Sequence, residues 1–334
     1  MQVIELSAFG LDNLVLTDRE KPEPGPGEVL VHFESASVNP RDYQIITGQF
    51  TPNVPFPLIP LSDGAGIVEA AGYGVSGVSI GDRVTPTFFP NWISGEASHG
   101  ERAVSSGLET PGTLREYGVY PESAVVRAAA HLTADEAACF PCAGLTAWTA
   151  LVTMSQIGRG DTVLVQGTGG VALASLLIAK ALGANVIVLS SSDAKLERAR
   201  ELGADHCINY TSTTDWGLRA YEIAGNGVDA VIEIGGTDTL ENSLAAIRHG
   251  GHINIIGYVT GIDMGITVFP LIIRNAQLHG IGTGNRDNYE AMMEFVAKHE
   301  IHPVISSTFA MDEAGAALET LANGRHMGKI VITY

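Results

Sequence analysis

A glycine-rich turn lies between an apolar run and a helix-like segment near the middle of the 334-residue chain. The turn consists of Gly167, Thr168, Gly169, Gly170 and Val171. Its spacing, G-x-G-x-x-A, lets Gly167 form a tight turn, lets the backbone at Gly169 approach a pyrophosphate, and lets Ala172 pack closely on the preceding strand. The first helical turn adds N–H groups without intrahelical acceptors and the positive end of the helix dipole. The segment therefore predicts a dinucleotide-binding turn, with an unliganded strand–helix turn as the alternative.

The end of the next predicted strand indicates which dinucleotide to expect. An Asp or Glu at that point would bind a free ribose 2′-hydroxyl, but this chain has Ser190 and Ser191 there. Lys195 and Arg198 follow at helical spacing and could contact a 2′-phosphate through charge-assisted hydrogen bonds. We therefore predict NADPH in preference to NADH. Two alternatives stay open, because the serines could only cap the helix and Asp193 could turn its carboxylate toward the ribose.

A second pair of residues with chemical potential, Asn39 and Tyr43, lies near the start of the chain. Four residues apart, they share one face if residues 40–46 form a helical turn. An amide N–H and a phenol can stabilise negative charge that develops on an oxygen, and the phenol can also supply a proton. We therefore predict that both are catalytic, with an ordinary Asn-Pro turn and a packed tyrosine as alternatives. Asp42 and Asp63 are expected to fix loop geometry, to pair with a basic group or to orient water.

Composition restricts the class of protein further. Apolar residues make up 45% and charged residues 17%, which indicates a globular chain, and its length indicates about two domains. A net charge of −18 argues against nucleic acid and anionic membranes as partners. We see neither a secretory signal nor an apolar run long enough to span a membrane. The odd number of cysteines favours a reducing compartment, so we predict a soluble cytoplasmic protein in which Cys139, Cys142 and Cys207 are structural.

Two patterns of predicted secondary structure along the chain indicate how these residues are positioned. Residues 1–125 read as short strands separated by Pro- and Gly-rich turns, which is typical of a mostly-β domain. From residue 128 onward, strands alternate with helices, and this alternation predicts a doubly wound parallel sheet of the Rossmann type. The six predicted strands are 162–166, 185–190, 206–210, 228–235, 252–257 and 277–282. The tail around 329–332 can return to the first domain.

Several short motifs in fixed order show a family resemblance. They lie at 37–43, 59–66, 141–148, 282–286 and 328–331, in addition to the glycine-rich turn. With them the chain resembles the medium-chain dehydrogenase/reductase superfamily, and in particular its zinc-free quinone oxidoreductase branch. The resemblance implies an α/β protein with a GroES-like, mostly-β catalytic domain and a Rossmann domain inserted into it. The implied boundaries are 1–127, 128–285 and 286–334, with a homodimer formed through edge strand 277–282.

The resemblance also implies further cofactor-binding residues. Thr146 and the pair Gly257 and Tyr258 would approach the nicotinamide, and Tyr210 would lie near the adenosine phosphate. Two basic residues would reach the cofactor phosphates or brace the cleft: Arg286 and Lys329. A surface ion pair for Arg286 and a solvated strand end for Lys329 are the alternatives.

The resemblance predicts that zinc is absent. Zinc alcohol dehydrogenases of the superfamily place a Cys where Asn39 stands, a His where Ser62 stands and a Glu where Asp63 stands; only Cys142 remains a ligand type. One thiolate with an amide and a hydroxyl is a poor zinc site. Residues 86–112 also lack the cysteines of a structural zinc lobe.

The prediction that follows is an oxidoreductase that transfers hydride from NADPH to a quinone or an α,β-unsaturated carbonyl without zinc. Such acceptors delocalise negative charge and therefore depend less on a Lewis acid. A zinc-dependent alcohol dehydrogenase with atypical ligands and a non-enzymatic NADPH-binding protein are the alternatives.

Overall fold

The computed structural model of the protein describes residues 1–263, 265 and 267–334. These residues form two compact units, one made of Met1–Leu145 with Gly284–Tyr334 and the other made of Thr146–Thr283. The sequence-based boundaries, 127/128 and 285/286, differ from these division points and stay predictions as domain boundaries.

Strands and helices are numbered here in chain order. The strands are β1 Gln2–Leu6, β2 Leu14–Asp18, β3 Glu28–Ser37, β4 Asp63–Ala71, β5 Arg83–Pro86, β6 Tyr117–Pro121, β7 Val125–Arg127, β8 Thr162–Gln166, β9 Asn185–Ser190, β10 His206–Asn209, β11 Val228–Glu233, β12 Ile247–Ile255, β13 Gln277–Gly280, β14 Ile305–Ala310 and β15 Lys329–Thr333. The α-helices are α1 Pro40–Ile46, α2 His99–Arg102, α3 Ala134–Ala137, α4 Leu145–Trp148, α5 Gly170–Ala181, α6 Asp193–Glu201, α7 Trp216–Ile223, α8 Leu240–Ala246, α9 Val268–Arg274, α10 Arg286–His299 and α11 Ala314–Ala322.

The first unit is built around a sheet with the strand order β14-β15-β3-β4-β5-β7, in which β6 also pairs with β3. Both ends of the chain contribute, because β15 pairs antiparallel with β3 and sets Val331 opposite Ser37. Apolar side chains from the N-terminal strands, α1, α11 and β15 share one core that includes Leu6, Ile45 and Ile330. This pairing brings residue 329 next to the chain that precedes α1.

The second unit is a six-stranded parallel sheet with the order β10-β9-β8-β11-β12-β13. This is the doubly wound sheet that the alternating pattern predicts, so the fold class is confirmed. The predicted strands 162–166 and 185–190 match β8 and β9. The largest difference is at β12, which begins at Ile247 instead of residue 252 because Ile247 already pairs with Val228 before the register shifts.

One helical segment, Ala134–Met154, is long and apolar enough by composition to cross a membrane, contrary to our expectation from the sequence. It has a mean hydropathy of 1.4, and 78% of it is buried within the protein. Such burial is typical of the core helix of a soluble protein, so the segment is weak support for a membrane span. The cytoplasmic location stays a prediction.

Candidate functional site

The glycine-rich turn has the geometry expected of a phosphate-binding turn. Strand β8 ends at Gln166, and Gly167 adopts a φ of +78°, in the region that favours glycine. Helix α5 begins at Gly170 with Gly169 as its N-cap, so no side chain covers the N–H groups of the first turn. A Cβ atom at Gly167 or Gly169 would meet nothing within 4 Å, which shows that space is open beside the turn. Ala172 is fully buried, as predicted for close packing on the strand.

The end of β9 presents hydroxyl groups instead of a carboxylate. Ser190 is buried, and its Oγ accepts a hydrogen bond from the Ser192 N–H at 3.2 Å. Ser192 caps α6 by accepting from the Lys195 N–H, while Ser191 is exposed. The carboxylate of Asp193 accepts a hydrogen bond from the Asn209 amide at 2.7 Å and is thereby held toward β10. Partial burial lowers the pKa of Lys195.

The other cofactor-binding residues predicted in this unit lie on different elements. Thr146 is buried on α4. Tyr210 follows β10 and is partly exposed, and its backbone N–H donates to the Ser190 carbonyl at 3.2 Å. Gly257 and Tyr258 follow β12 in a loop that contacts the loop after β11. Their roles toward a cofactor stay predictions.

The sequence interpretation missed two residues at the carboxyl ends of neighbouring strands, Gln166 at the end of β8 and Glu233 at the end of β11. Glu233, the last residue of β11, is fully buried, and the amide of Gln166 donates to its carboxylate at 2.7 Å. A glutamate that ends a mostly apolar strand and is separated from two glycines only by Ile234 was the available signal. Charged side chains are almost never fully buried without a partner, so its partners need an explanation.

In the first unit, the predicted catalytic residue Asn39 belongs to a buried polar cluster. Its backbone N–H donates to the Asp42 carboxylate at 2.8 Å, which closes the first turn of α1. Its side-chain Nδ2 donates to Asp63 Oδ2 at 2.9 Å and, at 3.5 Å, to Ser62 Oγ. Its Oδ1 accepts from the Lys329 ammonium at 2.6 Å. The amide orientation of Asn39 is thus fixed from both sides.

Lys329 is the cation of this cluster and was not expected there. Its side chain is 5% exposed, and its ammonium also donates to the Val38 carbonyl at 2.9 Å. It lies 3.5 Å from Oδ2 of the fully buried Asp63. A buried charge is stable only when it is paired and hydrogen-bonded. Lys329 and Asp63 pair with each other, and Asn39 is hydrogen-bonded to both.

Asp42 is a second buried carboxylate beside the cluster. Burial, which is the largest cause, raises its pKa to about 6; the nearby Asp63 adds to the rise and Arg41 opposes it. The Arg41 guanidinium is 3.8 Å from Asp42 Oδ1 and is itself held by the Ser106 carbonyl at 2.9 Å. The sequence-based expectation that Asp42 pairs with a basic group thus has a counterpart in Arg41.

Tyr43 lies on α1, four residues after Asn39. Residues 40–46 form helix α1, Pro40–Ile46, so the condition under which Asn39 and Tyr43 would share a face is met. The Tyr43 ring packs against the core of the first unit and is only partly buried. In the described part of the chain, its hydroxyl forms no hydrogen bond, so the phenol O–H is available to donate.

Comparison with known proteins decides the family. The family model for an alcohol dehydrogenase GroES-like domain matches residues 25–132, and that for a zinc-binding dehydrogenase matches residues 170–298. A zinc-type alcohol dehydrogenase-like protein, C1773.06c from Schizosaccharomyces pombe, is 39% identical over 338 residues, which cover 99% of this chain and 98% of that protein. The chain belongs to the medium-chain dehydrogenase/reductase superfamily. It is therefore an oxidoreductase.

Solved structures of the superfamily agree with this assignment. A provisionally named alcohol dehydrogenase from Sinorhizobium meliloti 1021 has a TM-score of 0.93 at 40% identity, over 100% of this chain and 98% of that chain. An NAD-dependent alcohol dehydrogenase has a TM-score of 0.91 at 31% identity over 100% of both chains. This medium-chain dehydrogenase/reductase accordingly uses a nicotinamide cofactor.

Two more distant relatives carry reductase names. A 2-haloacrylate reductase from Burkholderia is 28% identical, over 97% of this chain and 96% of its own length. An acryloyl-coenzyme A reductase from Metallosphaera sedula is 27% identical, over 94% of each. Both names describe acceptors with an activated carbon–carbon double bond.

The zinc positions of the superfamily fall, in this medium-chain dehydrogenase/reductase, on residues that do not fit zinc. The Asn39 oxygen faces the Lys329 ammonium, and the Ser62 hydroxyl donates to Asp63 at 3.2 Å. Burial raises the pKa of the Cys142 thiol. Within residues 1–263, 265 and 267–334, no three His, Cys, Asp or Glu side chains are grouped so that they could hold a metal ion.

The neighbouring Cys139 is a buried free thiol with a hydrogen bond of its own. Burial raises the pKa of its thiol to about 12, and the thiol donates to the Asp135 carbonyl at 3.2 Å. Both cysteines of the C-x-x-C sequence are free thiols. These features agree with the structural roles predicted for them.

The two basic residues predicted to reach the cofactor phosphates are both engaged within the first unit. Arg286 begins α10, where its guanidinium pairs with Glu290 at 2.7 Å and its backbone N–H donates to the Trp92 carbonyl at 3.0 Å. Lys329 is held by Val38 and Asn39, as described above. Their contacts with a cofactor phosphate stay predictions.

Proposed function

We propose that this oxidoreductase transfers hydride from NADPH to a quinone or an α,β-unsaturated carbonyl without a zinc ion. One observation carries the proposal: the Lys329 ammonium binds the Asn39 oxygen at 2.6 Å, at a position where zinc-dependent relatives have a metal ligand. A cation that is part of the chain then occupies the oxygens that a metal ion would need. The zinc-dependent alternative requires Lys329 to leave this position.

The chain's own residues give the acceptor oxygen two hydrogen-bond donors. One N–H of the Asn39 amide is committed to Asp63 at 2.9 Å, but the other makes only the 3.5 Å contact with Ser62. That weak contact is readily exchanged for a bond to an oxyanion. The Tyr43 hydroxyl is the second donor and the proposed proton source. When bound, NADPH supplies the hydride, and the conjugated acceptor spreads the resulting charge.

The names of two relatives independently support an α,β-unsaturated carbonyl as the acceptor. Reductases named for 2-haloacrylate and acryloyl-coenzyme A are related to this chain over nearly its whole length. Both acceptors have an alkene conjugated to a carbonyl carbon, as the proposal requires. The zinc-type name of the Schizosaccharomyces pombe relative instead favours the alternative, a zinc-dependent alcohol dehydrogenase.

The preference for NADPH is supported by the groups at the end of β9. Ser190 stands where an acid would favour NADH, and the carboxylate of Asp193 is engaged by Asn209 at 2.7 Å. Lys195 is the third residue of α6, three positions after the N-cap Ser192, and would bind the 2′-phosphate. The fingerprint residues Gly169 and Gly170 would hold the pyrophosphate through their backbone N–H groups.

The activity test compares acceptors and metal status in one series. Chelator-treated protein is assayed for NADPH oxidation with an ortho-quinone and with an unsubstituted enone, and then again after zinc is restored. We expect turnover without zinc and no gain when zinc is added. Turnover that appears only with zinc, or only with saturated alcohols and NAD⁺ or NADP⁺, would favour the alcohol dehydrogenase alternative.

A single conservative variant tests the acceptor side. Tyr43→Phe removes one donor and is expected to lower kcat by about 10²-fold, because losing an oxyanion donor typically has that effect. Tyr43 packs against the core through its ring, which phenylalanine retains. An unchanged kcat with unchanged stability would remove Tyr43 from the proposed chemistry.

The cofactor preference is tested on two basic residues of α6. Lys195→Met is expected to lower kcat/KM for NADPH, relative to that for NADH, by about tenfold or more, since a charge-assisted hydrogen bond is worth about 1.5–3 kcal/mol. Arg200→Met is the control, because Arg200 is exposed, pairs with Glu197 and is not among the residues predicted to contact the phosphate. An equal change in both variants, or none in either, would contradict the role given to Lys195.

We also propose that the protein is a homodimer formed through the Rossmann unit. β13 is the last strand of the sheet, and α9 carries four apolar side chains that are more than half exposed: Val268, Phe269, Ile272 and Ile273. Exposed apolar groups of this kind are typical of interfaces. Sedimentation equilibrium should give twice the monomer mass, and Phe269→Glu should shift the protein toward the monomer.

A further inference from the structure

The carboxylate of Glu233 is fully buried in the Rossmann unit without a cationic partner in the described part of the chain. Five donors satisfy it instead. Oε1 accepts from the N–H groups of Gly235 at 2.9 Å and Gly236 at 3.1 Å and from the Thr239 hydroxyl at 2.5 Å. Oε2 accepts from the Gln166 amide at 2.7 Å and from the Ser243 hydroxyl. Because a buried charge needs all its hydrogen bonds, these donors are held firmly in place.

The side chain of Gln166 joins this carboxylate to the glycine-rich turn. Gln166 is the last residue of β8, directly before Gly167. While its Nε2 donates to Glu233, its Oε1 accepts from the N–H groups of Ile234 and Gly235, each at 3.1 Å. Both polar atoms of the Gln166 side chain therefore connect β8, the strand that leads into the phosphate-binding turn, to the end of β11 and the loop after it.

The same loop is tied to Gly257, one of the residues predicted to approach the nicotinamide. The backbone carbonyl of Glu233 accepts from the Gly257 N–H at 3.2 Å, and the Gly235 carbonyl accepts from the Thr260 N–H at 2.8 Å. A Cβ atom at Gly257 would lie 2.5 Å from the Ile234 carbonyl oxygen. The two loops thus pack backbone against backbone, at a distance that no side chain allows.

We propose that Glu233 is a positioning residue for the nicotinamide cofactor. Its carboxylate fixes the loop after β11, and with it Gly257 and Tyr258, relative to the phosphate-binding turn at Gly167. A dinucleotide contacts both regions at once, so its affinity depends on their spacing, whereas a fragment that reaches only the turn does not. The inference rests on the nicotinamide cofactor of the superfamily and is independent of the acceptor and of the preference between NADPH and NADH.

The test compares a whole dinucleotide with its adenosine half. Glu233→Gln replaces one acceptor oxygen with an amide that faces backbone N–H donors and displaces the loop. We expect the Kd for NADPH, or for NADH if that binds more tightly, to rise by about tenfold or more by calorimetry. The Kd values for ADP and 2′,5′-ADP, which lack the nicotinamide riboside, should change by less than about twofold.

Ser243→Ala is the matched control. The Ser243 hydroxyl donates to the same carboxylate from α8 and accepts from Gln166 at 2.9 Å, and among the described residues it forms no hydrogen bond with Gly235, Gly236 or Gly257. We expect this variant to lower the melting temperature while leaving the ratio of dinucleotide to fragment affinity unchanged.

A second variant keeps the proposal testable if Glu233→Gln does not fold. Gln166→Met removes the link between the loop and β8 while leaving the carboxylate in place, and the same selective loss of dinucleotide affinity is expected. Equal losses for dinucleotide and fragment, or no loss for either, would overturn the proposal. Because these experiments contain no acceptor, their outcome is separate from the success or failure of the proposed reaction.

Discussion

Both units bury a carboxylate completely, but they balance its charge in different ways. In the first unit, Asp63 lies 3.5 Å from the Lys329 ammonium and shares Asn39 with it. In the Rossmann unit, Glu233 accepts five hydrogen bonds from neutral donors, two of which are backbone N–H groups of the loop that follows it. A neighbouring ammonium balances the charge of Asp63, whereas neutral hydrogen-bond donors stabilise the charge of Glu233.

The difference indicates what each carboxylate does. Replacing either Asp63 or Lys329 alone is expected to be strongly destabilising, because the other residue is then a buried charge without its partner. Their joint effect is local: they orient the Asn39 amide. Glu233 shares its charge among five neutral donors, so the loss of one leaves four in place, and together the bonds fix the positions of the groups that donate them. It therefore organises loops, whereas the first cluster organises one side chain.

The largest expected effect comes from removing the Lys329 ammonium, which lies 3.5 Å from Asp63 Oδ2. Lys329→Met leaves Asp63 buried and uncompensated, and we expect the free energy of unfolding to fall by about 3–5 kcal/mol in urea denaturation. Lys180→Met is the control, because Lys180 pairs with Asp205 where both side chains are about one-third exposed. That variant should lose no more than about 1 kcal/mol.

A double variant separates lost charge balance from lost packing. Adding Asp63→Asn to Lys329→Met removes the uncompensated carboxylate, so part of the lost stability should return. If Lys329→Met costs no more than Lys180→Met, Asp63 does not depend on a cation and the comparison between the two carboxylates fails.

The next effect concerns Asp42, which shares the cations of the first cluster with Asp63. Its pKa is about 6 in the folded protein, against about 3.9 in an unfolded chain. Between these values the native state holds a proton that the unfolded state has released, so stability falls as pH rises from about 4 to about 6. The fall approaches about 3 kcal/mol and is complete above the folded-state pKa.

Asp42→Asn cannot titrate and should remove this contribution. The free energy of unfolding of the variant minus that of the parent protein, measured from pH 4 to 8, should therefore increase as pH rises. This difference should be largest above pH 6. Parallel curves for the two proteins would show that Arg41 and Lys329 already balance both carboxylates.

The sequence predicted the Rossmann sheet well because its strands carry their own signal. Strands such as β8 and β9 are buried on both faces and read as continuous apolar runs, so their bounds could be found directly. The end of β11 was placed two residues late, at 235 instead of Glu233. There the carboxylate captures the N–H groups of Gly235 and Gly236 and ends the strand, which no local propensity encodes.

The candidate site was only partly predictable for a related reason. Asn39 and Asp63 could be singled out from their motifs, but the partner that orients them is Lys329, 290 residues from Asn39 along the chain. That contact depends on the pairing of β15 with β3, and strand pairing between the two chain ends has no local sequence signature. A lysine at a strand end reads equally well as solvated, which is why its burial was not anticipated.

The smallest effect tests whether Glu233 really spreads its charge over several donors. Thr239→Val removes one of its five donors with little change in shape, and a hydrogen bond to a charged group is worth about 1.5–3 kcal/mol. Because four donors remain, we expect a loss near the lower end, about 1.5 kcal/mol in urea denaturation, well below that of Lys329→Met. Thr320→Val is the control, since the Thr320 hydroxyl donates to the neutral Ala316 carbonyl at 2.8 Å on α11. A Thr239→Val loss as large as that of Lys329→Met would mean that Glu233, like Asp63, depends on a single partner.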